Sequence, residues 1–432
     1  MAKTTFIATG DLFMTRRIPE AGYAGFQELR DCILSHDVRF NNLAMTFHNC
    51  EGYPAAVSGG TWAMADPVML DDVKRFGFNI FNTANNHSGD YSHGGLLATI
   101  AHLKERNMIF SGTGATLGEA SKPCYLETPN ARVALISVNG STDLPASAAG
   151  AQTADLPGRP GLNPLRINKI YHLDPKHFAM AKELVAVSGV NMAVERSIRN
   201  GYKTPFPEGK LPMGGINFVL DDHNWIESTP HKQDMARILG EIREARRQAD
   251  VVLVSIHTHV NDTYETNIPG QFLQTFGRAC IDAGATAMLG HGPHELQGIE
   301  IWGGGVIFYS LGNFLFQTET VEFQPWDAYN NRNMPLDTKV GAYMDDRSKN
   351  NTVGYNVQEW IWKAVMGAFT MEEGKLTQVQ LYPIDLGQNL PRGRKGVPVM
   401  TGDEHTLQYL QTLSEHYGTK IRIENGVGYI DL

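Results

Sequence analysis

Four strand-length apolar segments in this sequence each end directly at side chains that can bind a metal ion. The segments and the residues that follow them are TTFIAT (4–9) before Gly10-Asp11, NIFNTA (79–84) before Asn85-Asn86-His87, VVLVSI (251–256) before His257-Thr258-His259, and TAML (286–289) before Gly290-His291-Gly292-Pro293-His294. In open α/β sheets, the loops at the carboxyl ends of the strands gather along one edge. The repeated pattern therefore predicts that distant parts of the chain meet at one site.

Helix-like segments separate the predicted strands. In residues 94–107, Leu96, Ile100 and Leu103 recur at the spacing of one helix face. Further helices are predicted at residues 66–75, 175–188, 231–248, 270–283 and 404–417. This alternation of strands and helices predicts an α/β fold.

Two polar stretches without a clear period interrupt the alternation. Residues 139–172 are predicted to form a long loop, which is the first part of an insertion of loops and helices over about 139–230. Residues 319–356 are predicted to form a second polar loop. Long loops in compact domains often form lids or binding segments. The sequence thus predicts a main domain over residues 1–318, with strands and a helix in residues 357–432 completing the same domain.

Composition limits the classes of partner. The 37 basic and 46 acidic residues give a formal net charge of -9 without long runs of either sign, which argues against a nucleic-acid or membrane-surface partner. The four cysteines are widely spaced, the first residues lack the features of a secretory signal, and no apolar run reaches the roughly 18 residues of a membrane span. We therefore predict a cytoplasmic protein without a transmembrane segment that acts on a small-molecule or polymeric acidic substrate, and the oligomeric state is left open.

The donor types at the strand ends favour a divalent transition metal. One carboxylate, one or two carboxamides and several imidazoles suit Mn, Zn, Fe or Ni better than Ca²⁺ or thiolate-bound zinc, and such an ion would support hydrolysis. Structural alternatives exist for Asp11 as a turn or capping residue, for Asn85 and Asn86 in left-handed turns, and for His87 hydrogen-bonded to loop backbone.

The spacing within each histidine pair bears on which residues bind an ion directly. His257 and His259 lie two apart and would face opposite sides of a continuing strand, so at most one is expected to be a ligand, with His259 in a supporting role. His291 and His294 flank Gly-Pro, and glycine and proline make a turn without needing imidazoles. This second pair is therefore the stronger indication of a ligand or catalytic site.

Several of these motifs together resemble the CapA family, which is named for poly-γ-glutamate capsule biosynthesis and belongs to the calcineurin-like metallophosphoesterase superfamily. The segments that carry the resemblance are Gly10-Asp11, NTANNHSGDYSHGGLLATIAHLKERNMIFSGTGATLGEA from residue 82, RPGLNPLR from residue 159, the strand into His257, GHGPHELQGIEIW from residue 290 and YSLGNFLF from residue 309. They extend with gaps over roughly residues 4–316.

The resemblance implies a metallophosphatase-like four-layer αββα sandwich: two packed β-sheets flanked by helices, with long loop insertions and a metal centre over the strand ends. The metal ligands that it implies are Asp11, Asn86, His257, His291 and His294. It also implies a catalytic role for Asn86 and His87, in which His87 donates a proton or stabilises charge in the transition state.

The sequence departs from the family pattern at Ala44. Members usually carry Asn-Leu-Glu after the second strand, with the glutamate bridging two metal ions, whereas NNLAMTF places an alanine there. Since alanine cannot coordinate, the expected centre holds one or two ions. The additional donors considered for it are Asn42, Asn85, His259, His48 and Glu51.

Two functions follow as hypotheses. The first is a CapA-like metal-dependent hydrolase or transferase that acts on a phosphoester or amide-like bond of an acidic substrate in poly-γ-glutamate or capsule-type polymer metabolism. The second is a non-catalytic accessory or scaffold protein for poly-γ-glutamate synthesis or export, which Ala44 favours. The retained ligands and His87 favour the enzyme, because clustered imidazoles and carboxylates are costly to bury unless a cation compensates.

Overall fold

Two large β-sheets pack face to face in the computed structural model, which describes residues 3–141 and 145–432. Residues 142–144, part of the predicted loop 139–172, lie outside the described residues. The first sheet has ten strands, eight of them in the spatial order Ile421–Glu424, Val427–Ile430, Lys375–Asp385, Lys363–Glu372, Thr4–Phe13, Val38–Leu43, Ile80–Asn82 and Phe110–Ser111. Asn313–Phe316 also pairs with Thr4–Phe13, and Val399–Met400 pairs with Lys375–Asp385.

The second sheet has six strands. Their spatial order is Leu296–Trp302, Gly305–Leu311, Ala287–His291, Val251–His257, Arg132–Asn139 and Cys124–Glu127. The four inner strands run parallel to one another. Their carboxyl ends therefore lie at one edge of the sheet.

Side-chain alternation along each strand builds the layers. Val251 and Leu253 pack into the core between the two sheets, whereas Val252 and Val254 point to the opposite face. That opposite face is covered by the helices Lys232–Gln248 and Gln271–Asp282, through residues that include Ile238, Ile242, Phe272 and Phe276. Both faces of the strand Val251–His257 are therefore buried, which explains its uninterrupted apolar run.

Helices also cover the outer face of the first sheet. They are Phe26–Leu34, Met69–Arg75 and Ser92–Glu105, whose residues Leu29, Leu70 and Leu103 share one core with Ile7 and Leu12 of the first strand. The helix Glu404–Glu415 packs against the strand Leu296–Trp302. The predicted α/β fold of two packed sheets flanked by helices is confirmed.

The region between residues 139 and 230 differs from the predicted loop and helical insertion. It contains a third sheet of four strands, in the order Lys210–Met213, Ile216–Leu220, Ile167–Leu173 and Trp225–Pro230. The helices Pro175–Ser188 and Met192–Arg199 accompany it. Its strands are mostly half-exposed and lack a strict apolar alternation, so the sequence pattern does not show them.

The predicted polar loop 319–356 is also partly helical. It contains the helices Trp326–Asn330 and Val340–Ser348, and the second of these buries Tyr343 and Met344. Shorter elements elsewhere are the helix Leu117–Ser121, the strand pairs Thr46–Phe47 with Met64–Ala65 and Thr113–Gly114 with Gly161–Leu162, and the 3₁₀ helices Pro145–Ser147, Thr318–Thr320, Gly354–Val357 and Glu359–Trp362. Within residues 3–141 and 145–432, none of the helices combines the length and apolar character needed to cross a membrane.

Candidate metal centre

Strand register places the polar strand-end residues in two rows. In the first sheet, Asp11 pairs with Asn42 on one side and with Asn313 on the other. In the second sheet, His257 pairs with both His291 and Asn139. Because the two sheets pack face to face, the two rows meet across the interface between them.

A close approach of two glycines sets the position of Asp11. The backbone N–H of Asp11 donates to the carbonyl oxygen of Gly312 at 3.1 Å. A Cβ atom on Gly10 would lie 1.8 Å from that same oxygen, so only glycine fits there. The register between the first and second strands also shifts between Ala8 and Asp11, which redirects the end of the strand toward the second sheet.

Asp11 lies among imidazoles at the interface. Its Oδ1 atom is 3.5 Å from Nδ1 of His257 and 3.6 Å from Nδ1 of His291, and those two nitrogens are 2.9 Å apart. All three side chains are buried, and their ligand atoms lie within 4.8 Å of one another. An anion and two nitrogen donors therefore converge on one point away from water.

The protonation states of this group suit a cation. Burial alone would raise the pKa of Asp11, but the interactions with His257 and His294 outweigh it and hold that pKa well below its usual value. Burial lowers the pKa of His291 to about 3 and also lowers the pKa of His257. At neutral pH the carboxylate is charged and these imidazoles are neutral, the forms that bind a metal ion.

His294 approaches Asp11 from the other side. Its Nδ1 atom is 3.4 Å from Oδ2 of Asp11 and 2.8 Å from Oδ1 of Asn313. The backbone of His294 adopts a positive φ of 63°, a conformation uncommon for non-glycine residues and often found at functional sites. Asn313 comes from the YSLGNFLF segment, and its own part in the site was not predicted from the sequence.

His259 also lies beside the group, contrary to the expectation that it faces away from His257. The strand ends at His257, so the chain turns before His259 and the rule of alternating sides no longer applies. Nε2 of His259 is 3.2 Å from Nε2 of His257, and its ring packs against His294. Burial lowers the pKa of His259 well below its usual value.

Asn86 and His87 stand at the end of the third predicted strand. The amide Nδ2 of Asn86 donates to the carbonyl of Gly59 at 2.8 Å, while its Oδ1 is buried and has no hydrogen-bond partner among residues 3–141 and 145–432. Nδ1 of His87 lies 2.7 Å from Oδ2 of Asp90. Asp90 also accepts from the backbone N–H groups of Gly59 and Ala63, which fix its position.

The sequence analysis missed Asp90. Its spacing of three residues from His87 was the available signal, but a carboxylate in a Ser-Gly-Asp turn is usually a solvated residue. Asn85 is held by hydrogen bonds within the protein: its Oδ1 accepts from the backbone N–H of His87, and its Nδ2 donates to the carbonyl of Leu43. Its backbone φ is not positive, so the alternative of a left-handed turn is wrong for this residue.

The other additional donors divide into two kinds. Asn42 touches the group, since its Nδ2 donates to Oδ1 of Asp11 at 2.6 Å while its own oxygen accepts from Asn82. It therefore orients the carboxylate. His48 and Glu51 contact other residues: the ring of His48 packs on Tyr91, and Oε1 of Glu51 is 3.0 Å from Nε2 of His102.

The donor atoms fit a divalent cation of the transition series. Within the described part of the chain, Oδ2 of Asp11 and Oδ1 of Asn86 are both buried and accept no hydrogen bond from another protein group. Buried oxygens of this kind are costly unless a proton donor or a cation satisfies them. The carboxylate of Asp11 and the imidazoles of His257 and His291 offer the mixed oxygen and nitrogen donors that suit Mn, Zn, Fe or Ni.

Comparison with known proteins identifies a family that matches most of this chain. The sequence model for the family described as "Bacterial capsule synthesis protein PGA_cap" matches residues 5–318. This range includes every residue of the two strand-end rows, from Asp11 to Asn313.

Individual relatives match different shares of the chain. "Uncharacterized protein y4sH" of Sinorhizobium fredii is 31% identical over 99% of this chain and 93% of its own length. "PGA biosynthesis protein CapA" of Bacillus subtilis is 28% identical over 56% of this chain and 44% of its own length. "Capsule biosynthesis protein CapA" of Bacillus anthracis is 27% identical over 56% of this chain and 41% of its own length.

Proposed function

Because this chain belongs to the bacterial capsule synthesis protein family PGA_cap, we propose that it is a metal-dependent hydrolase or transferase. Its substrate is an acidic molecule of poly-γ-glutamate or capsule-type polymer metabolism, and the bond it acts on is a phosphoester or an amide-like bond. The family relationship supports the association with capsule biosynthesis. The chemistry rests on the site itself, since a fold alone does not name a reaction.

One observation carries the proposal of a metal ion. The carboxylate of Asp11 is fully buried between the two sheets, and its Oδ1 lies 3.5 Å from Nδ1 of His257 and 3.6 Å from Nδ1 of His291. A buried charge without a compensating cation is strongly unfavourable. The ligands that we propose are Asp11, Asn86, His257, His291 and His294, with Asn42 orienting Asp11 and His259 supporting His257.

The residues beside the metal ligands suit proton transfer. A bound divalent ion would polarise the phosphoryl or carbonyl oxygen of the substrate and lower the pKa of a water molecule. Nδ1 of His87 lies 2.7 Å from Oδ2 of Asp90. A hydrogen bond from Nδ1 to this carboxylate would orient the ring, so that Nε2 is the nitrogen that would exchange a proton with the substrate. We assign His87 as the residue that protonates the leaving group and Asp90 as the residue that positions it.

Turnover by the protein purified without chelators tests this proposal. We expect metal-stimulated hydrolysis of p-nitrophenyl phosphate or of a γ-glutamyl amide, and a bound transition metal in elemental analysis. His87→Gln should lower kcat by about 10²–10⁴-fold, the usual contribution of a general acid, while metal content stays unchanged. His223→Gln, at an exposed histidine of the third sheet, is the matched control and should keep wild-type kcat.

Two outcomes would contradict the proposal. The first is a protein that contains no transition metal and gains no activity when Mn²⁺, Zn²⁺, Fe²⁺ or Ni²⁺ is added. The second is unchanged kcat in His87→Gln under conditions where the wild type turns over.

Ala44 favours a second candidate function, a non-catalytic accessory protein. The residue is buried at 2% exposure where the family usually places a metal-bridging glutamate, and it offers no donor atom. An accessory protein would bind the acidic polymer with the same affinity in the presence of EDTA and in His87→Gln, without turnover. Metal-dependent turnover excludes this alternative.

A further inference from the structure

A cavity extends away from the candidate metal centre on the side of Asn86. Its volume is about 560 Å³, within the usual range of small-molecule pockets. Its lining includes Asn86, one of the proposed metal ligands, and Asn139, which pairs in register with His257. Arg159 and Arg166 line the walls. The cavity therefore joins the proposed reaction site to a pair of cationic side chains.

Arg159 is an exposed residue whose backbone and Nε atom are held by hydrogen bonds. Its backbone N–H and carbonyl form reciprocal hydrogen bonds with Gly150, and its Nε donates to the carbonyl of Ala148 at 3.0 Å. In the part of the chain that the structure describes, no carboxylate pairs with its guanidinium. The two terminal nitrogens are therefore available to a ligand, and their planar fork matches an oxyanion.

The cavity lining contains a second arginine, Arg166, which is paired with Asp234. Arg166 donates to both oxygens of Asp234, at 2.7 and 2.9 Å, and Arg237 donates to the same carboxylate at 2.9 Å. The lining therefore carries two guanidinium groups, those of Arg159 and Arg166, and the one carboxylate of Asp234, while Arg237 lies outside the lining. This cationic cavity lies in a protein whose net charge is -9, so the local charge is opposite to that of the whole chain.

We propose that this cavity binds an oxyanion of the substrate outside the reacting bond and that Arg159 is the residue that selects it. The inference rests on the proposed function and adds the substrate feature that the site recognises: a carboxylate or phosphate group carried next to the bond placed at Asn86. Arg166 and Arg237 contribute long-range attraction, because their hydrogen bonds are already directed to Asp234. The selectivity therefore lies with Arg159.

Calorimetric titration of the full chain with two probes tests this assignment. The probes are a γ-linked tetramer of glutamate and inorganic tripolyphosphate, which present carboxylates and phosphates respectively. Arg159→Gln should weaken binding of the preferred probe by at least about tenfold, the loss expected for a charge-assisted hydrogen bond. Arg159→Lys should recover part of the affinity, since it keeps the charge without the fork. The probe that binds the wild type more tightly identifies the anion.

Arg247→Gln is the matched control, because Arg247 is an exposed arginine on the helix Lys232–Gln248 that pairs with Glu244. This variant should bind both probes as the wild type does. Equal affinities of wild type and Arg159→Gln for both probes would overturn the assignment, as would an equal loss in Arg247→Gln.

The titration separates this inference from the proposed function, because binding needs no turnover. If probe binding depends on Arg159 but the protein shows no turnover, the anion-binding role of Arg159 is supported and the enzymatic function is contradicted. If turnover depends on metal and KM is the same in wild type and Arg159→Gln, the enzymatic function is supported and the role of Arg159 is contradicted.

Discussion

Two groups of side chains in this protein bring three potential ligand atoms within 4.8 Å of one another, and they differ in their surroundings. Asp11, His257 and His291 are buried between the sheets, whereas the group at residues 221–223, on the turn after a strand of the third sheet, is half-exposed to exposed. Proximity of donors is therefore the same in both groups. Burial is what distinguishes them.

The exposed group satisfies its own charges. A hydrogen bond to Asp222 raises the pKa of His223. The pKa of Asp221 is lowered to about 2, mainly because its carboxylate accepts a hydrogen bond from the indole N–H of Trp225. Its imidazole thus tends to be protonated beside carboxylates. In the buried group the imidazoles lose their protons and the carboxylate keeps its charge, so only that group has an electrostatic need for a cation.

The largest expected difference between the groups concerns metal affinity. Asp11→Asn removes the only anionic donor of the buried group and should weaken binding of Mn²⁺ or Zn²⁺ by at least about 100-fold, more than the loss of a supporting residue costs. Asp221→Asn should leave affinity unchanged. Elemental analysis and metal titration of both variants measure this. Wild-type metal content in Asp11→Asn would refute the assignment of the centre.

A smaller difference should appear in metal-linked stability. At a free metal concentration of 100 times Kd, the free energy of unfolding of the wild type should rise by about 2.7 kcal/mol, because the ion binds only the folded chain. Denaturant unfolding with metal or with EDTA measures this rise. Asp221→Asn should show the same rise and Asp11→Asn none, and an equal rise in both would place the ion elsewhere.

A third difference lies in the pH dependence of the metal-free protein, where the change expected for a single pH unit is smaller than the metal-linked rise. The pKa of His291 is about 3 when folded and roughly 6.5 when unfolded, so the unfolded chain takes up the proton first as pH falls. Stability should therefore fall between about pH 6.5 and 3, by up to about 1.4 kcal/mol per pH unit from this residue. Denaturant unfolding in EDTA at several pH values should show a shallower fall for His291→Gln.

His223 should change the stability of the protein with pH in the opposite direction to His291. Its raised pKa in the folded state stabilises the protein at pH values below its unfolded pKa, and this contribution disappears as pH rises through the folded pKa. His223→Gln should thus lose stability at acid pH, where His291→Gln gains it relative to wild type. If His223→Gln and His291→Gln both gained or both lost stability relative to wild type at acid pH, the contrast between the two groups would be contradicted.

Much of the fold could be predicted because buried strands leave a strong signal. Val251–His257 is apolar on both faces, and the residue after such a run must lie at the sheet edge. This reasoning brings Asp11, His257 and His291 together, and the structure does place them together. Their roles as ligands stay a prediction.

Features that depend on where a strand ends or on partial burial could not be predicted. His259 joins the group only because the strand ends two residues earlier, and strand ends are poorly marked in a sequence. Asp90 resembles an ordinary turn residue until its contact with His87 is seen. The third sheet escaped prediction because its strands are half-exposed, so polar and apolar residues mix without a period of two.

The pairing of Asp11 with Asn313 has a consequence for how the protein folds. These residues lie near opposite ends of the matched segment, so their strands can join only after most of the intervening chain is in place. We therefore expect the complete set of donors to assemble late in folding. A metal ion that binds these donors should leave the rate of folding nearly unchanged and should slow unfolding. The ion would therefore stabilise the chain only after it has folded.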